Sequence, residues 1–367
     1  APGRRSMAEA VEPPHDVGSD AGAPDELLAL LESRAQHGGA SGLAVVDMRA
    51  LPCFERWHVD GAVHIPFCAI AQRGFEMPPR DVPLLCICDG EGSEGGSAPL
   101  EAVAKWFTSR VGGNVISRWA VVPGTECLRQ RLDAGALLAH GPITRGLFLF
   151  RPCPLLQEEL RGPRLEILLQ RAAASGRASA EGAPDGRAHA GAGRERSRSP
   201  ERATDAPLAL DVGCGSGRDA AVLAAAGFRV LALDRDARGL RRLEALAARH
   251  GVSELLGTRA AKLEAPGDLV REGAGPFDLV LCARFLHRRT LAELPLLLRP
   301  GSGLLLYHTF LEGNAHPIGE EHVLRSGELA SLFGSSCDVL RDDEGRIDDG
   351  RLLTFFVARR RGEERTA

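Results

Sequence analysis

The sequence predicts an α/β protein with two domains, and three observations support that prediction. The chain has 367 residues, which is more than the ~100–200 residues of a typical domain. In both halves, apolar runs of strand length alternate with runs of helical spacing, as in parallel sheets covered by helices. The stretch over 172–206 is rich in Ala, Gly, Arg and Ser. It offers too little apolar surface to fold and is predicted to be a disordered insertion.

Composition and charge limit the expected partners and compartment. The formal net charge is -4 and 44% of the residues are hydrophobic, so no general attraction to DNA or to anionic membranes is expected. No segment reaches the ~18 apolar residues of a membrane helix. Nine cysteines without a compact framework indicate free thiols in a reducing compartment, and therefore a cytoplasmic protein.

Metal and targeting signals are also missing from the sequence pattern. Cys86 and Cys88 form a CxC pair, and no second cysteine pair or histidine cluster completes a metal site. We therefore expect no bound metal. The sequence starts at Ala1 with Met7 soon after, which leaves the true start open, and it lacks the apolar core of a signal peptide.

The first half predicts a small parallel α/β domain that ends near residue 140. Residues 1–24 are rich in Gly, Pro and acids and are predicted to be disordered. The elements expected after them are a helix over Asp25–Gln36, strands over Gly42–Arg49, Val82–Asp89 and Gly112–Trp119, and a helix over Ser97–Arg110.

The second half predicts a longer alternation of strands and helices. Strands are expected over 207–211, 228–234, 254–260, 277–283 and 303–309, followed by a hairpin of 337–340 and 352–359. The intervening helices end at glycines such as Gly227 and Gly251, as helix C-termini often do.

A glycine loop joins the first two of these strands. The run LALDVGCGSGRDAAVLAAAGFRVLALDRD has Asp211 near the end of one strand, then Gly213, Gly215 and Gly217, and Asp234 at the end of the next strand. Dinucleotide sites have GxGxxG, whereas this chain has GxGxG. The pattern resembles the class I S-adenosylmethionine (SAM) methyltransferases. The resemblance implies a Rossmann-like sheet of seven strands with an antiparallel last strand, in a domain over 146–367, and SAM as the cofactor.

The same resemblance implies a set of cofactor contacts. Asp211 would order the loop and attract the amino group of SAM, and Asp234 would accept hydrogen bonds from both ribose hydroxyls. Lys262 stands where the family usually has an acid that binds adenine, so Glu264 or a backbone group would have to substitute. The expected cofactor residues are Asp211, Gly213, Cys214, Gly215, Gly217, Asp234, Arg235, Ala261 and Cys282.

The fourth strand carries the signal for the methyl acceptor. The run ARFLHR, with RPGSGLLLYHTFLEGN after it, lacks the (Asn/Asp)-Pro-Pro-aromatic motif of amino-group methyltransferases. Cys282 lacks the preceding Pro of cytosine-C5 enzymes. These runs resemble a small-molecule branch related to the tellurite-resistance methyltransferases, in which a Glu stands at the position of His308. The resemblance implies Arg284, His287 and His308 as substrate residues.

His287 is the candidate catalytic base, because a neutral imidazole accepts protons near pH 7. A packing or capping histidine is the alternative interpretation. Arg151–Leu160 (RPCPLLQEEL) resembles the segment that covers the SAM pocket in this branch.

A second resemblance lies in the first half. Asp47-x-Arg49 and His58-x-x-Gly-Ala-x-x-Ile-Pro66 resemble the rhodanese (sulfurtransferase) domain over 25–137. Cys88 stands at the position of the catalytic cysteine. Acids at Asp89, Glu91 and Glu94 surround it, which disfavours a thiolate. We therefore interpret this domain as a degenerate scaffold or recognition module, with catalysis by Cys88 as the alternative.

Three functions follow as hypotheses. The leading one is a SAM-dependent methyltransferase of a small molecule with a soft nucleophile, such as a thiol or chalcogen anion, with the rhodanese-like domain as an accessory. The second is an RNA or protein methyltransferase whose target is docked by that domain. The third is a sulfur relay through Cys88.

Overall fold

The computed structural model describes residues 20–21, 24–37, 42–89, 99–108, 116, 118–142, 148–171, 206–273 and 275–362. The chain divides into two compact units, and each contains segments from separate parts of the sequence. The first unit comprises Ala1–Ile70 and Pro78–Gly141, and the second comprises Ala71–Met77 and Pro142–Ala367. The predictions for residues 1–19 and 172–205 lie outside the described residues.

The first unit is built on a parallel sheet. The elements up to residue 142 are β1 Asp20–Ala21, α1 Pro24–His37, β2 Ala44–Asp47, α2 Leu51–Arg56, β3 His58–Val59, β4 Val63–His64, α3 Ile70–Arg73, β5 Leu84–Cys88, α4 Leu100–Thr108, β6 Arg118–Pro123, α5 Glu126–Ala134 and β7 Leu138–Ala139. The main sheet has five strands in the order β1-β6-β5-β2-β4, and β3 pairs with β7 separately.

One predicted strand of this unit needs a correction. The strand expected over 112–119 is observed as β6, Arg118–Pro123, which overlaps the prediction only at Arg118 and Trp119. Residues 112–115 and 117 lie outside the described part of the chain. The Gly-Gly-Asn start of the predicted run disfavours a strand, whereas the apolar residues after Trp119 continue to Pro123 and are buried.

The second unit contains a larger sheet. Its elements after residue 148 are α6 Pro154–Arg161, a helical stretch α7 over 163–171, β8 Leu208–Val212, α8 Arg218–Ala225, β9 Arg229–Asp234, α9 Ala237–Arg249, β10 Leu256–Ala260, α10 Asp268–Gly273, β11 Leu279–Ala283, β12 Leu304–His308, α11 Glu328–Phe333, β13 Cys337–Arg346 and β14 Leu352–Arg360. The seven strands follow the order β10-β9-β8-β11-β12-β14-β13.

Strand directions in this sheet confirm the predicted topology. The first five strands pair in parallel, and β14 runs antiparallel to both β12 and β13. Both faces are covered: Leu279 and Leu281 belong to one apolar cluster, and Val280 and Cys282 to the other. Strand order reverses beside β8, whose neighbours are β9 and β11. The carboxyl ends of the strands at such a switch point form a ligand crevice.

The last hairpin is longer than the sequence predicts. Its first strand, β13, continues past Leu340 to Arg346 and has a register shift between Val339 and Arg341. The acids from Asp342 to Glu344 conceal this continuation in the sequence, because they break the apolar pattern. The strand lies at the edge of the sheet and is mostly exposed, where charged residues are tolerated.

Candidate active site

The glycine loop between β8 and α8 requires glycine for both conformation and space. Gly213 and Gly217 have φ angles of 72° and 74°, in the left-handed region that side chains rarely adopt. A Cβ atom on Gly213 would lie 2.3 Å from Cγ of Phe285, and one on Gly217 would lie 2.4 Å from Cδ1 of Leu243. The loop backbone is therefore packed directly against its neighbours.

Asp234 ties this loop to the end of β9. Its Oδ2 accepts a hydrogen bond from the backbone N–H of Gly215 at 2.8 Å, and its Oδ1 accepts one from the N–H of Asp236 at 2.8 Å. Each carboxylate oxygen keeps a further lone pair. Asp234 also lines the cleft described below, which is the location that the predicted ribose contact requires.

Asp211 is buried beneath the loop and lacks a complete set of partners. Its side chain is 2% exposed, and Oδ2 has no hydrogen-bond partner within the described chain. Burial, with the nearby charges of Asp219 and Asp234, raises the pKa of Asp211 well above its ordinary value. A cation placed beside it would stabilise the ionised form. An orphaned carboxylate oxygen next to a glycine cradle fits the ammonium and sulfonium charges of SAM.

A cleft of about 950 Å³ opens beside the glycine loop. Of the residues predicted from the sequence, those that line it are Gly213, Asp234, Arg235, Ala261, Arg284 and His287. Cys282 lines a small adjoining cavity instead, and its Sγ donates to the carbonyl oxygen of Phe285 at 3.4 Å. Cys214 lies in the loop with its Sγ toward the carbonyl oxygen of Gly215. Burial raises the pKa of both thiols, so neither is a nucleophile at neutral pH.

The end of the cleft near β10 contains Lys262, the residue that stands where an acid was expected. Lys262 lines the cleft and forms an ion pair with Glu264. The backbone N–H of Ala261 donates to the carbonyl oxygen of Asp234 at 3.0 Å. Asp268, which the sequence reasoning missed, accepts from the N–H groups of Glu264 and Ala265. These two bonds hold the pKa of Asp268 at about 2, so its carboxylate orders this loop.

His287 lines both the cleft and the small adjoining cavity. Its Nδ1 lies 3.0 Å from Oγ1 of Thr290. In the tautomer in which Nδ1 donates to this hydroxyl oxygen, the lone pair of the neutral ring lies on Nε2. This arrangement suits a proton acceptor that is held by its other ring nitrogen.

His308, predicted as a substrate residue, is placed away from the cleft lining. Its side chain is fully buried, its Nδ1 lies 2.7 Å from the carbonyl oxygen of Thr354, and its ring packs edge-on against Phe355. Burial lowers the pKa of His308 to about 4. The reason is topological: its position on β12 faces the apolar layer beside β14, which the sequence pattern alone does not reveal.

This buried histidine gives the second unit a pH-dependent stability. Between pH 6.5 and pH 4 the unfolded chain binds a proton at His308 that the folded chain excludes, so stability falls as the pH drops through this window. The whole window corresponds to about 3 kcal/mol. We expect the melting temperature of His308→Gln to fall less between pH 7 and pH 4.5 than that of the wild type. His322→Gln, at an exposed histidine, should keep the wild-type slope, and equal slopes for wild type and His308→Gln would contradict this assignment.

The segment that begins at Arg151 is attached to the start of α8. The backbone N–H of Cys153 donates to Oδ1 of Asp219 at 2.7 Å, and α6 begins at Pro154 with Leu155 and Leu156 fully buried. This contact places the predicted covering segment beside Asp219, which follows the glycine loop and Arg218 in the sequence.

Sequence reasoning missed several residues that line the cleft. They are chiefly Phe285, Arg288 and Arg289 after β11, and Glu320, Glu321 and His322 in the loop after β12. The first set follows β11, which neighbours β8 at the switch point, and the second follows β12, the next strand of the sheet. Listing every charged residue after such strand ends would have identified them.

Cys88 in the first unit is buried and not exposed to solvent. It is fully inaccessible, and its Sγ donates to the carbonyl oxygen of Val122 at 3.5 Å. Burial, followed by the charge of Asp89, raises the pKa of Cys88 to about 11. The remaining predicted acids, Glu91 and Glu94, lie outside the described residues. Nearby, Asp47 and Arg49 form a buried ion pair of 2.6 Å, with the guanidinium 3.8 Å from the centre of the Trp57 ring.

The described residues contain no candidate metal cluster and no candidate membrane-spanning helix. No group of three or more His, Cys, Asp or Glu side chains is arranged to hold a metal ion. None of the helices found there combines the length and apolarity needed to cross a bilayer.

Comparisons with known proteins bear on the second unit. A family model described as a methyltransferase domain matches residues 209–301. A ubiquinone biosynthesis O-methyltransferase of Caulobacter vibrioides is 35% identical over 127 residues, which are 32% of this chain and 47% of that protein. The chain thus spans about half the length of that relative.

The comparisons also gave one relative that matches most of the chain and one solved structure that matches less than half of it. The fission yeast (Schizosaccharomyces pombe) protein called uncharacterized protein UNK4.09 is 27% identical over 355 residues, which cover 86% of this chain and 93% of that protein. The crystal structure of TehB from Haemophilus influenzae matches 44% of this chain and 59% of its own, with 16% identity and a TM-score of 0.35.

Proposed function

We propose that the chain methylates a small molecule with a soft nucleophile, which is a thiol or a chalcogen anion. The premise is that it carries a class I SAM-dependent methyltransferase domain and uses SAM as its cofactor. The observation that carries this proposal is the set of side chains that line the cleft directly after β11, which we call the acceptor edge. After β11 the cleft is lined by Arg284, Phe285, Leu286 and His287, and the imidazole is the one proton acceptor among these four side chains.

An imidazole is a suitable base for a thiol. Thiols ionise with an ordinary pKa of about 8.5, and phenols only near 10, so a thiol releases its proton more readily to His287 Nε2 at neutral pH. A chalcogen anion needs no base. The cleft volume of about 950 Å³ is at the upper end of small-ligand pockets, which supports a cofactor and a small acceptor bound together.

The residues of the cleft then have separate tasks. When bound, SAM would supply an electrophilic methyl group on its sulfonium, and the electron pair of the carbon–sulfur bond would stay on that sulfur when the acceptor takes the methyl group. Asp211 and the glycine loop bind the amino-acid end of the cofactor, and Asp234 binds its ribose. His287 Nε2 takes the proton of the acceptor. The protein contributes mainly by holding the methyl group and the nucleophile in line.

A hydroxyl acceptor is the second candidate. The relative from Caulobacter vibrioides is an O-methyltransferase by name, and a ring oriented by Thr290 is consistent with general-base assistance to an O–H group.

A transfer screen with isotopically labelled SAM tests these candidates. Small thiols, chalcogen anions, phenols and total RNA are each incubated with the wild type and with Asp234→Ala. We expect label in the thiol or chalcogen products of the wild type alone. Label in phenols only would replace the proposal by the second candidate. Label in RNA, with a steep loss at higher salt, would overturn the small-molecule proposal.

The first unit is proposed to be a rhodanese-like accessory domain without sulfurtransferase activity. Its five-stranded parallel sheet and the buried Asp47–Arg49 pair support the resemblance seen in the sequence. The buried Cys88 thiol, with its pKa raised to about 11, supports an inactive domain, because only a thiolate attacks a sulfur donor.

Alkylation and turnover measurements test this accessory role. Native protein at pH 7.5 should leave Cys88 unlabelled by iodoacetamide while the exposed Cys68 and Cys127 react, and thiosulfate:cyanide turnover should equal that of Cys88→Ser. Turnover that is present in the wild type and lost in Cys88→Ser would restore the sulfur-relay hypothesis.

A further inference from the structure

Two arginines follow the carboxyl ends of the neighbouring strands β8 and β11. Arg218 is the first residue of α8, directly after the glycine loop, and Arg284 follows β11. Arg284 lines the cleft. Neither guanidinium forms a hydrogen bond or an ion pair within the described ranges, although most arginines in the second unit do.

The two positive charges are close enough to act on each other. Burial lowers the pKa of Arg218, and the charge of Arg284 lowers it further, against the opposing effect of Asp219. The charges of both guanidinium groups also act on Asp219, whose Oδ1 accepts from the N–H of Cys153 and not from either arginine.

The backbone conformation that holds Arg284 in this position is energetically unfavourable. Its φ angle is 53°, which is uncommon for a residue with a long side chain and is often associated with functional sites. Its N–H donates to the carbonyl oxygen of His308 at 2.6 Å, so β12 fixes the point where the side chain leaves β11.

We propose that Arg218 and Arg284 together bind an anionic group of the methyl acceptor, a carboxylate or another oxyanion. Guanidinium groups suit this task because their planar N–H donors match such anions. The inference rests on the proposed function, since the acceptor has to enter the same cleft. Arg284 follows β11, whereas the predicted cofactor contacts Gly213 and Asp234 follow β8 and β9. Arg218, directly after the glycine loop, lies on the cofactor side. The carboxylate of SAM is the other possible source of the anion, and the experiments below separate the two.

The first experiment measures anion binding without turnover. Sulfate is titrated into the complex with S-adenosylhomocysteine (SAH), the demethylated cofactor, and binding is followed by calorimetry. We expect one site in the wild type that weakens at least tenfold in Arg218→Gln and in Arg284→Gln, as for loss of a charged hydrogen bond. The matched control is Arg242→Gln, an exposed arginine on α9, which should bind sulfate as the wild type does. Equal sulfate binding in all four proteins would overturn the proposal.

The second experiment identifies the source of the anion. Affinities for SAM and for decarboxylated SAM are measured in the same proteins. If the pair serves the acceptor, both affinities stay within about twofold of wild type in Arg218→Gln and Arg284→Gln. A loss of at least tenfold for SAM, with decarboxylated SAM unaffected, would assign the pair to the cofactor carboxylate and overturn the acceptor assignment.

The third experiment uses two acceptor probes that differ in charge, 3-mercaptopropionate and its amide. We expect the wild type to favour the carboxylate at least tenfold in kcat/KM, and Arg284→Gln to lose this preference through a higher KM with little change in kcat. Equal rates for the two probes in the wild type would overturn the proposal. If no thiol or hydroxyl probe is methylated, the proposed function fails while the sulfate titration still decides the anion site.

Discussion

Replacement of Asp234 by alanine is expected to weaken SAM binding by about 100-fold or more. The change removes the two hydrogen bonds that its carboxylate accepts from Gly215 and Asp236, and with them the predicted acceptor of the ribose hydroxyls. Hydrogen bonds to a charged group contribute about 1.5–3 kcal/mol each, so the loss of loop order and of ligand contacts exceeds the effect of either alone. Isothermal titration calorimetry with SAM measures it directly.

Two further variants sharpen this measurement. Asp349→Ala removes an acid of the β13–β14 turn that pairs with Arg351, and it should leave the SAM affinity unchanged. Asp234→Asn keeps one acceptor oxygen and is expected to fall between the alanine variant and the wild type. A dissociation constant for Asp234→Ala within threefold of the wild-type value would show that this carboxylate does not hold the cofactor.

Replacement of Gly239 by alanine is expected to destabilise the second unit and to weaken SAM binding together. Glycine to alanine in a helix ordinarily stabilises by up to about 1 kcal/mol. Here the added Cβ atom on α9 would lie 2.5 Å from the carbonyl oxygen of Gly215. Because that oxygen belongs to the backbone of the glycine loop, the loop has to move, at a cost of about 1–3 kcal/mol.

Urea unfolding and SAM calorimetry on one preparation test whether Gly239→Ala lowers the free energy of unfolding instead of raising it. Gly257→Ala is the matched control, because its Cβ atom would meet no atom closer than 3.9 Å. We expect the control to keep the wild-type SAM affinity, while Gly239→Ala loses at least tenfold. A Gly239→Ala protein that is more stable than the wild type and binds SAM normally would mean that the loop and α9 are not packed as described.

The sequence identified the cofactor side of the cleft better than the acceptor side. Asp211, the three glycines and Asp234 occupy adjoining parallel strand ends, so their spacing along the chain already fixes their proximity in space. Their partners could not be predicted in the same way. The bond from the Gly215 N–H to Asp234 depends on how the loop closes.

The errors on the acceptor side have a common physical cause. His308 is buried because Thr354 and Phe355, from a strand that pairs antiparallel with β12, lie against it. Arg218 was not singled out in the sequence, and it is affected by the charge of Arg284 from another strand end. Both outcomes depend on contacts between distant segments, which periodicity and local motifs do not encode.

The acidic continuation of β13 has a consequence for association in solution. An open sheet edge is a template for pairing with another chain, and natural proteins protect it with charges and irregularities. The exposed run from Asp342 to Glu344 and the register shift after Val339 both fall on this edge. A second copy that paired its own β13 there would place like charges against each other. Edge-to-edge pairing of sheets into fibres is therefore disfavoured at neutral pH.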